Sequence, residues 1–468
     1  MRKTLLTVLM AAVLLALPAM GAATISIINN DGAGVGLNDP TVVPQVGTNP
    51  HTTLGAQRLY ALQHAVGVWA AKLDSSVTIV VRASFEPLTC TATAAVLGSA
   101  GAIEVFRDFS GASFAGTWYP GALADKLFGS SISPGSDDIR ARFNRDLGGA
   151  NCLPGSPFYL GTDNSIPSGQ VDFVAVALHE LAHGLGFQTF TNGSTGALFA
   201  GFPAVWDHFL FGTSTGLTWS NMTDTQRAAS AISLSQLVWN GTSVNSVAGQ
   251  VLNAGPNFKL TLPASIASNN VDLGIAQFGA PLNTTGVLGE IMPVAAQPAS
   301  IGNACEPLNA TNVLAVNGKI ALIDRGGCTF LIKVKNAQNA GAIGVVIANN
   351  AAGLLNMTGV DATVTIPSVM ISQAAGNALK TALLGRSRTR SGVFARLLLD
   401  STTPAGTDNF GRVKMYAPTT FASGSSVSHF DTTAFPNLLM EPAINVGLTQ
   451  VVDLPNDLTF RLLKDIGW

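Results

Sequence analysis

Six histidines occur in the 468-residue sequence, and two of them stand four residues apart in His179-Glu180-Leu181-Ala182-His183. On a helix, positions four apart share one face about one turn, or ~6 Å, apart. Two imidazoles placed there can bind a single metal ion. Glu180, directly after the first, can reach a metal-bound water without ligating the metal, as a general base must. Glutamate is scarce in this chain, at positions 86, 104, 180, 290, 306 and 441 only. A bland reading makes both histidines core residues satisfied by hydrogen bonds. It would suit a lone histidine; His64, on the helix over 53–73, reads instead as a partly exposed polar residue. The bland reading suits poorly a His, a Glu and a His on an apolar stretch, where unpaired burial would be costly.

The element that must carry the motif is legible in its surroundings. Val171, Val174, Ala175, Leu178, Leu181, Ala182 and Leu185 recur at helical spacing. The spacing predicts a buried amphipathic helix over 171–187, with Ser168 as N-cap and Gly184 with Gly186 at its end. A catalytic zinc usually takes three protein ligands and leaves the fourth position to water. No Glu occurs between Leu181 and Gly289, and position 189 is Thr, a poor zinc ligand. Asp207, His208 and His429 remain. His429 lies in GSSVSHFD, residues 424–431, where small residues permit close approach. Eleven residues on, Met440 sits in LLMEP, where a tight turn can floor the ligands with an apolar side chain. His429 is therefore the expected third ligand, with Asp207 or His208 as alternatives. It follows His183 by 246 residues. Closure cost rises only slowly with loop length, and a folded insertion with close ends costs less still.

Around this helix the pattern reads strand 24–30, helix 53–73, strand 76–85, strand 102–108, then the motif. That order suits a mixed sheet packed on helices. From about 256 to 400 the composition changes. Residues 319–324 and 343–349 read as buried strands, and 330–340 between them as a helix, a βαβ-like unit with its own core. The run Arg386-Ser387-Arg388-Thr389-Arg390 reads as a solvated loop. Asp431 is expected either to orient His429 or to cap a turn.

The bulk numbers exclude whole classes. Net charge is −2 with 11% charged residues, so no basic surface argues for nucleic acid. Mean hydropathy is +0.35, yet after residue 20 no 18-residue apolar run appears, and no membrane span is expected. Arg2 and Lys3, the apolar stretch Leu5–Leu17 and the small residues near 19–23 predict a cleaved signal peptide over 1–23. The product would be secreted, extracellular or periplasmic. The spacing of the four cysteines favours Cys90 with Cys152 and Cys305 with Cys328 as disulfides, without fixing connectivity.

HELAHGLGF with a distant SHFD and LLMEP resembles the metzincin clan of zinc endopeptidases, in particular its leishmanolysin-like branch. There a long insertion separates the helix from the third histidine. Thr189 departs from the compact metzincin arrangement. The resemblance implies an α+β zincin-like catalytic domain, with Met440 as the Met-turn residue. CEPLNA, IALIDRGGCTF, KVKNAQNAGAIGVVIANN and IPSVMIS resemble a protease-associated (PA) domain, with Cys305 and Cys328 as its disulfide. The implied organisation is a catalytic domain in two parts, 24–255 and 401–468, split by an α/β PA-like domain over 256–400. The expected activity is Zn2+-dependent hydrolysis of protein or peptide substrates, with Glu180 as base and His179, His183 and His429 on the metal. An inactive binding protein that keeps the fold, and a zinc hydrolase of non-peptide substrates, are the competing readings. The intact Glu180 argues against the first.

Overall fold

The computed structural model describes residues 22–264, 273–297, 302–351, 354–445 and 447–468. All but the last two residues of the expected signal peptide therefore lie outside the described residues.

The N-terminal half is built on a four-stranded sheet in the order Ile25–Asn29, Ile79–Glu86, Ile139–Asn144, Gly98–Ala102. The first three strands run parallel. Gly98–Ala102 pairs antiparallel with Ile139–Asn144 and forms one edge. Alternation decides the faces. Ile139, Ala141 and Phe143 are buried, whereas Arg140 is exposed and Arg142 half-buried. Two helices, Leu54–Ala70 and Phe173–Leu185, pack together and against the sheet. Their shared apolar core takes in Leu62, Trp69, Val81, Phe143, Leu178 and Leu181, and also Met415, Leu438 and Leu463 from the C-terminal stretch. Each such side chain stabilises by roughly 1.5–3 kcal/mol on burial. Trp69 Nε1 donates to Leu178 O at 3.0 Å and so ties the two helices. Trp468 Nε1 donates to Leu185 O at 2.7 Å and satisfies a carbonyl that the helix end leaves open.

Four expectations need correction. The strand read over 102–108 is two pieces, Gly98–Ala102 and Val105–Phe106. The small residues of GSAGA gave no apolar alternation, yet backbone pairing suffices to make them an edge. The motif helix starts at Phe173, because Val171 and Asp172 pair with Phe158 and Tyr159 as a short strand. Asp172 caps it in place of Ser168, its Oδ1 accepting from Val174 N at 2.9 Å. Gly186 is the left-handed C-cap (φ 119°), but Gly184 lies inside the helix. A Cβ at Gly184 would sit 2.3 Å from Ile139 Cγ2, so glycine there lets helix and sheet approach.

The inserted stretch forms a seven-stranded sheet in the order Ala254–Leu262, Phe394–Pro404, Val287–Pro293, Ile320–Asp324, Gly344–Ala348, Ser368–Ile371, Leu273–Ile275. The run from Val287 to Ile371 is parallel. Ile320, Ala321, Leu322, Ile323, Val345, Val346 and Ile347 are buried, as sequence had suggested for strands covered on both faces. Helix Phe330–Asn339 links two of them. This module has its own apolar clusters. Its first and last strands, Ala254–Leu262 and Phe394–Pro404, pair with each other, so chain entry and exit lie side by side. Both strands cross the boundaries drawn at 256 and 400. The disulfides Cys90–Cys152 and Cys305–Cys328 are both formed. The 386–390 run is mostly exposed.

Candidate metal centre

Three imidazoles meet at the open end of the motif helix. His179 and His183 come from successive turns of that helix. His429 comes from the loop after Tyr416, held by Val427 N donating to Tyr416 O and Trp206 Nε1 donating to Val427 O. Val427 adopts a left-handed φ of 67°, rare for a β-branched residue, two positions before His429. His179 Nε2 stands 3.1 Å from His429 Nε2 and 3.2 Å from His183 Nε2. The ligand atoms of all three lie within 4.8 Å of one another.

The opposite nitrogens explain what this cluster is suited to hold. Each Nδ1 lies 2.8 Å from a backbone carbonyl: His179 from Leu439 O, His183 from Phe187 O, His429 from Ser425 O. A carbonyl only accepts, so each ring carries its proton on Nδ1 and turns an Nε2 lone pair inward. Three converging lone pairs with no proton between them repel one another, and a cation relieves this. Burial pulls the basicity of all three down, most strongly with the neighbouring imidazoles' charge added: His179 to about 3, His183 to about 4, and His429 well below its ordinary value. The rings therefore stay neutral, the form that ligates. A three-nitrogen set with the fourth position facing a cleft fits zinc.

Glu180 is buried against the edge strand, 7% exposed. Burial raises its carboxyl to about 8, against the pull of the Ala100 backbone and of Arg142. Together with the three imidazoles it lines a cleft of about 780 Å³. Its lining also takes in Ala95–Ala100, Phe421, Ser423–Ser428 and Pro442–Ile444. Among the described residues lining it, Glu180 is the one with a formal charge when ionised; the rest are apolar, small, hydroxylic or amide, apart from the imidazoles.

The Leu438–Glu441 turn lies beneath His179. Met440 is fully buried, and its carbonyl accepts from Phe430 N at 2.8 Å, beside His429. Two carboxylates fix the turn: Glu441 Oε1 accepts from Leu438 N at 2.9 Å, and Asp457 Oδ2 accepts from Leu439 N at 2.7 Å. Asp457 thus holds the N–H of Leu439, the residue whose carbonyl orients His179. Sequence reasoning missed this residue; nothing in NDLTF signals what it touches.

The alternatives for third ligand sit elsewhere. Asp207 is buried, with Oδ1 accepting from Thr189 Oγ1 at 2.6 Å and Oδ2 from Thr191 Oγ1 at 2.5 Å and Ala204 N at 2.9 Å. Both its oxygens are committed to ordering the segment after the helix. His208 stacks on Phe114 at 4.0 Å, with Nε2 3.0 Å from Thr117 Oγ1. Asp431 accepts from Thr433 N and Oγ1 and caps its own turn. His64 is exposed.

Residues 289–379 match the PA domain family. Among curated proteins, the chain is 40% identical over 114 residues to the human E3 ubiquitin-protein ligase ZNRF4, covering 23% of this chain and 25% of that protein. It is 27% identical over 163 residues to Vacuolar-sorting receptor 2 of Arabidopsis thaliana, covering 31% and 25%. The chain thus spans about a quarter of the length of these relatives. Among solved structures, a zinc aminopeptidase from Bacillus subtilis is 25% identical, with 33% of this chain and 35% of that chain covered and a TM-score of 0.21. A subtilisin-like protease from Pseudoalteromonas sp. AS-11 is 18% identical, with 32% and 34% covered and a TM-score of 0.23. At such TM-scores these likenesses carry no argument. The stretch matching the PA domain family, 289–379, does not include His179, Glu180, His183 or His429. What the chain demonstrably contains is a PA domain set within a mixed α/β protein.

Proposed function

We propose that this protein is a zinc-dependent peptidase that cuts within polypeptide chains, with His179, His183 and His429 as metal ligands. The observation that carries the reading is the convergence of three Nε2 lone pairs at one end of a cleft whose wall holds Glu180. Zinc bound there would supply Lewis-acid activation of a water and of a scissile carbonyl. Glu180, as carboxylate, accepts the proton of the attacking water and passes it to the leaving amine. Burial by itself favours the protonated form; a cation on the three imidazoles, with the Ala100 backbone and Arg142, favours the ionised one. Leu439, Phe187 and Ser425 hold the imidazoles in one tautomer through their carbonyls.

Cutting within chains, rather than at their ends, is supported by the lining. Recognition of a free terminus calls for a charged partner beside the metal, and the cleft's described lining offers none besides Glu180. A metzincin-like catalytic domain is supported by the buried Met440 turn beneath His179 and by the order of sheet, helix and distant third histidine. The PA domain would recruit or restrict protein substrates near the cleft. Export is supported by two formed disulfides and by the apolar N-terminal stretch. Among the described residues no helix is long and apolar enough to cross a membrane.

The test is zinc content with casein cleavage for wild type and Glu180→Gln. The variant should keep its zinc and lose cleavage by ~100-fold or more. Cleavage at the wild-type rate would sink the mechanism.

A further inference from the structure

Gly98 opens the edge strand, yet its backbone does not call for glycine. Its φ lies outside the left-handed region, and it pairs with Phe143 in ordinary antiparallel register. Space calls for it. A Cβ built on Gly98 would lie 2.7 Å from Glu180 Cγ, 2.9 Å from Cδ and 2.8 Å from Oε1. Comfortable carbon–carbon contact is ~3.5–4.0 Å. All three close atoms belong to the same side chain.

Glu180 can retreat only toward the cleft it lines, off its place beside the strand. It is 7% exposed, on a helix pressed so closely on the sheet that Gly184 admits no side chain. The Ala100 backbone, two residues along the same strand, favours its ionised form. The strand sets the position of Glu180 by the side chain that Gly98 lacks. We infer that Gly98 is a positioning residue for Glu180, its bare Cα letting the carboxylate lie against the edge strand beside the three imidazoles. Adding one methyl drives the carboxylate off that place by about 1 Å, a misplacement that costs ~100-fold in rate. The kinetic half of this inference rests on the hydrolytic reading of the site; the steric half does not.

The experiment uses four full-length proteins: wild type, Gly98→Ala, Glu180→Ala and the double variant. Zinc content and Tm are measured for all, and kcat and KM on a peptide for the first two. Gly98→Ala should retain zinc, lose ~100-fold in kcat and change KM by less than ~3-fold. It should lower Tm by ~2–4 °C beside Glu180 and by less than ~1 °C beside Ala, where the clashing atoms are gone. A loss of kcat with zinc retained supports the inference even if Tm does not move. Wild-type kcat in Gly98→Ala overturns it, as does a Tm loss that persists in the Glu180→Ala background. If Gly98→Ala fails to fold, folding of the double variant supports the inference and its failure overturns it. If the wild type cleaves no peptide, the peptidase reading falls and Tm alone decides. A loss confined to the Glu180 background then supports the placement of Gly98, and any other pattern overturns it.

Discussion

Each imidazole of the cluster is aimed by a carbonyl, and Leu439, which supplies one of them, is itself held by Asp457. Hydrogen bonds of 2.7 Å and 2.8 Å pin Leu439 at both ends, its N–H on a buried carboxylate and its carbonyl on His179. Asp457→Ala would strand the Leu439 N–H, at a cost of about 1–3 kcal/mol, and loosen the turn beneath His179. Zinc affinity measured by competition with a chelator should fall ~10–100-fold; unchanged affinity would show that the turn holds itself. At this scale the sequence was unevenly legible. His179, Glu180 and His183 announce themselves because helical spacing is local. His429 could be reached by elimination, since histidine is rare here. Gly98 and Asp457 could not, because a glycine or an aspartate acquires such a role only from what the fold brings against it.

The motif helix and the edge strand determine how the site is presented. The helix was visible in its apolar spacing, although its start was misplaced by the short strand at Val171–Asp172. The edge strand was misplaced because GSAGA has no side chains that alternate. A pH effect belongs to this sheet. Asp138 immediately precedes the strand next to that edge, and its Oδ2 accepts from Val80 N at 2.7 Å. Burial, with Asp125, Asp137 and Glu104 adding negative charge, raises its carboxyl from 3.8 to about 6. A carboxyl raised on folding gives stability that is complete below ~3.8 and is lost as pH climbs through ~6. Tm should therefore fall for wild type relative to Asp138→Asn between pH 4 and 7, a difference on the order of 2–3 kcal/mol. Parallel pH profiles for the two proteins would remove Asp138 as the cause.

The described residues of the whole molecule form three apolar clusters, one outside the inserted module and two within it. The cluster that holds Trp69, Leu178 and Met440 is separate from those that hold Val334 and Ile347, or Ile320 and Leu397. At the junction Ala405 N donates to Asn253 O at 2.8 Å, so the flanking chain meets across the insertion. The shift in composition near 256 and 400 located this module, though strand pairing carries it a few residues past both positions. Replacing 255–404 by a short Gly/Ser linker should leave a protein that folds and binds zinc. It should cleave a small peptide within ~10-fold of wild-type kcat/KM. Loss of zinc binding would mean that the module buttresses the metal centre. Sequence pointed to His429 and Met440 as the residues that approach the helix; what it did not show was the pairing of Ala254–Leu262 with Phe394–Pro404 that brings the chain back to it.

The central claim is that His429 completes a trio of zinc ligands from across the insertion. Zinc K-edge absorption on wild type and on His429→Ala addresses it directly. Three imidazole nitrogens at ~2.0–2.1 Å are expected in the wild type, and either two or no bound zinc in the variant. An identical spectrum at full zinc occupancy in both proteins would contradict it.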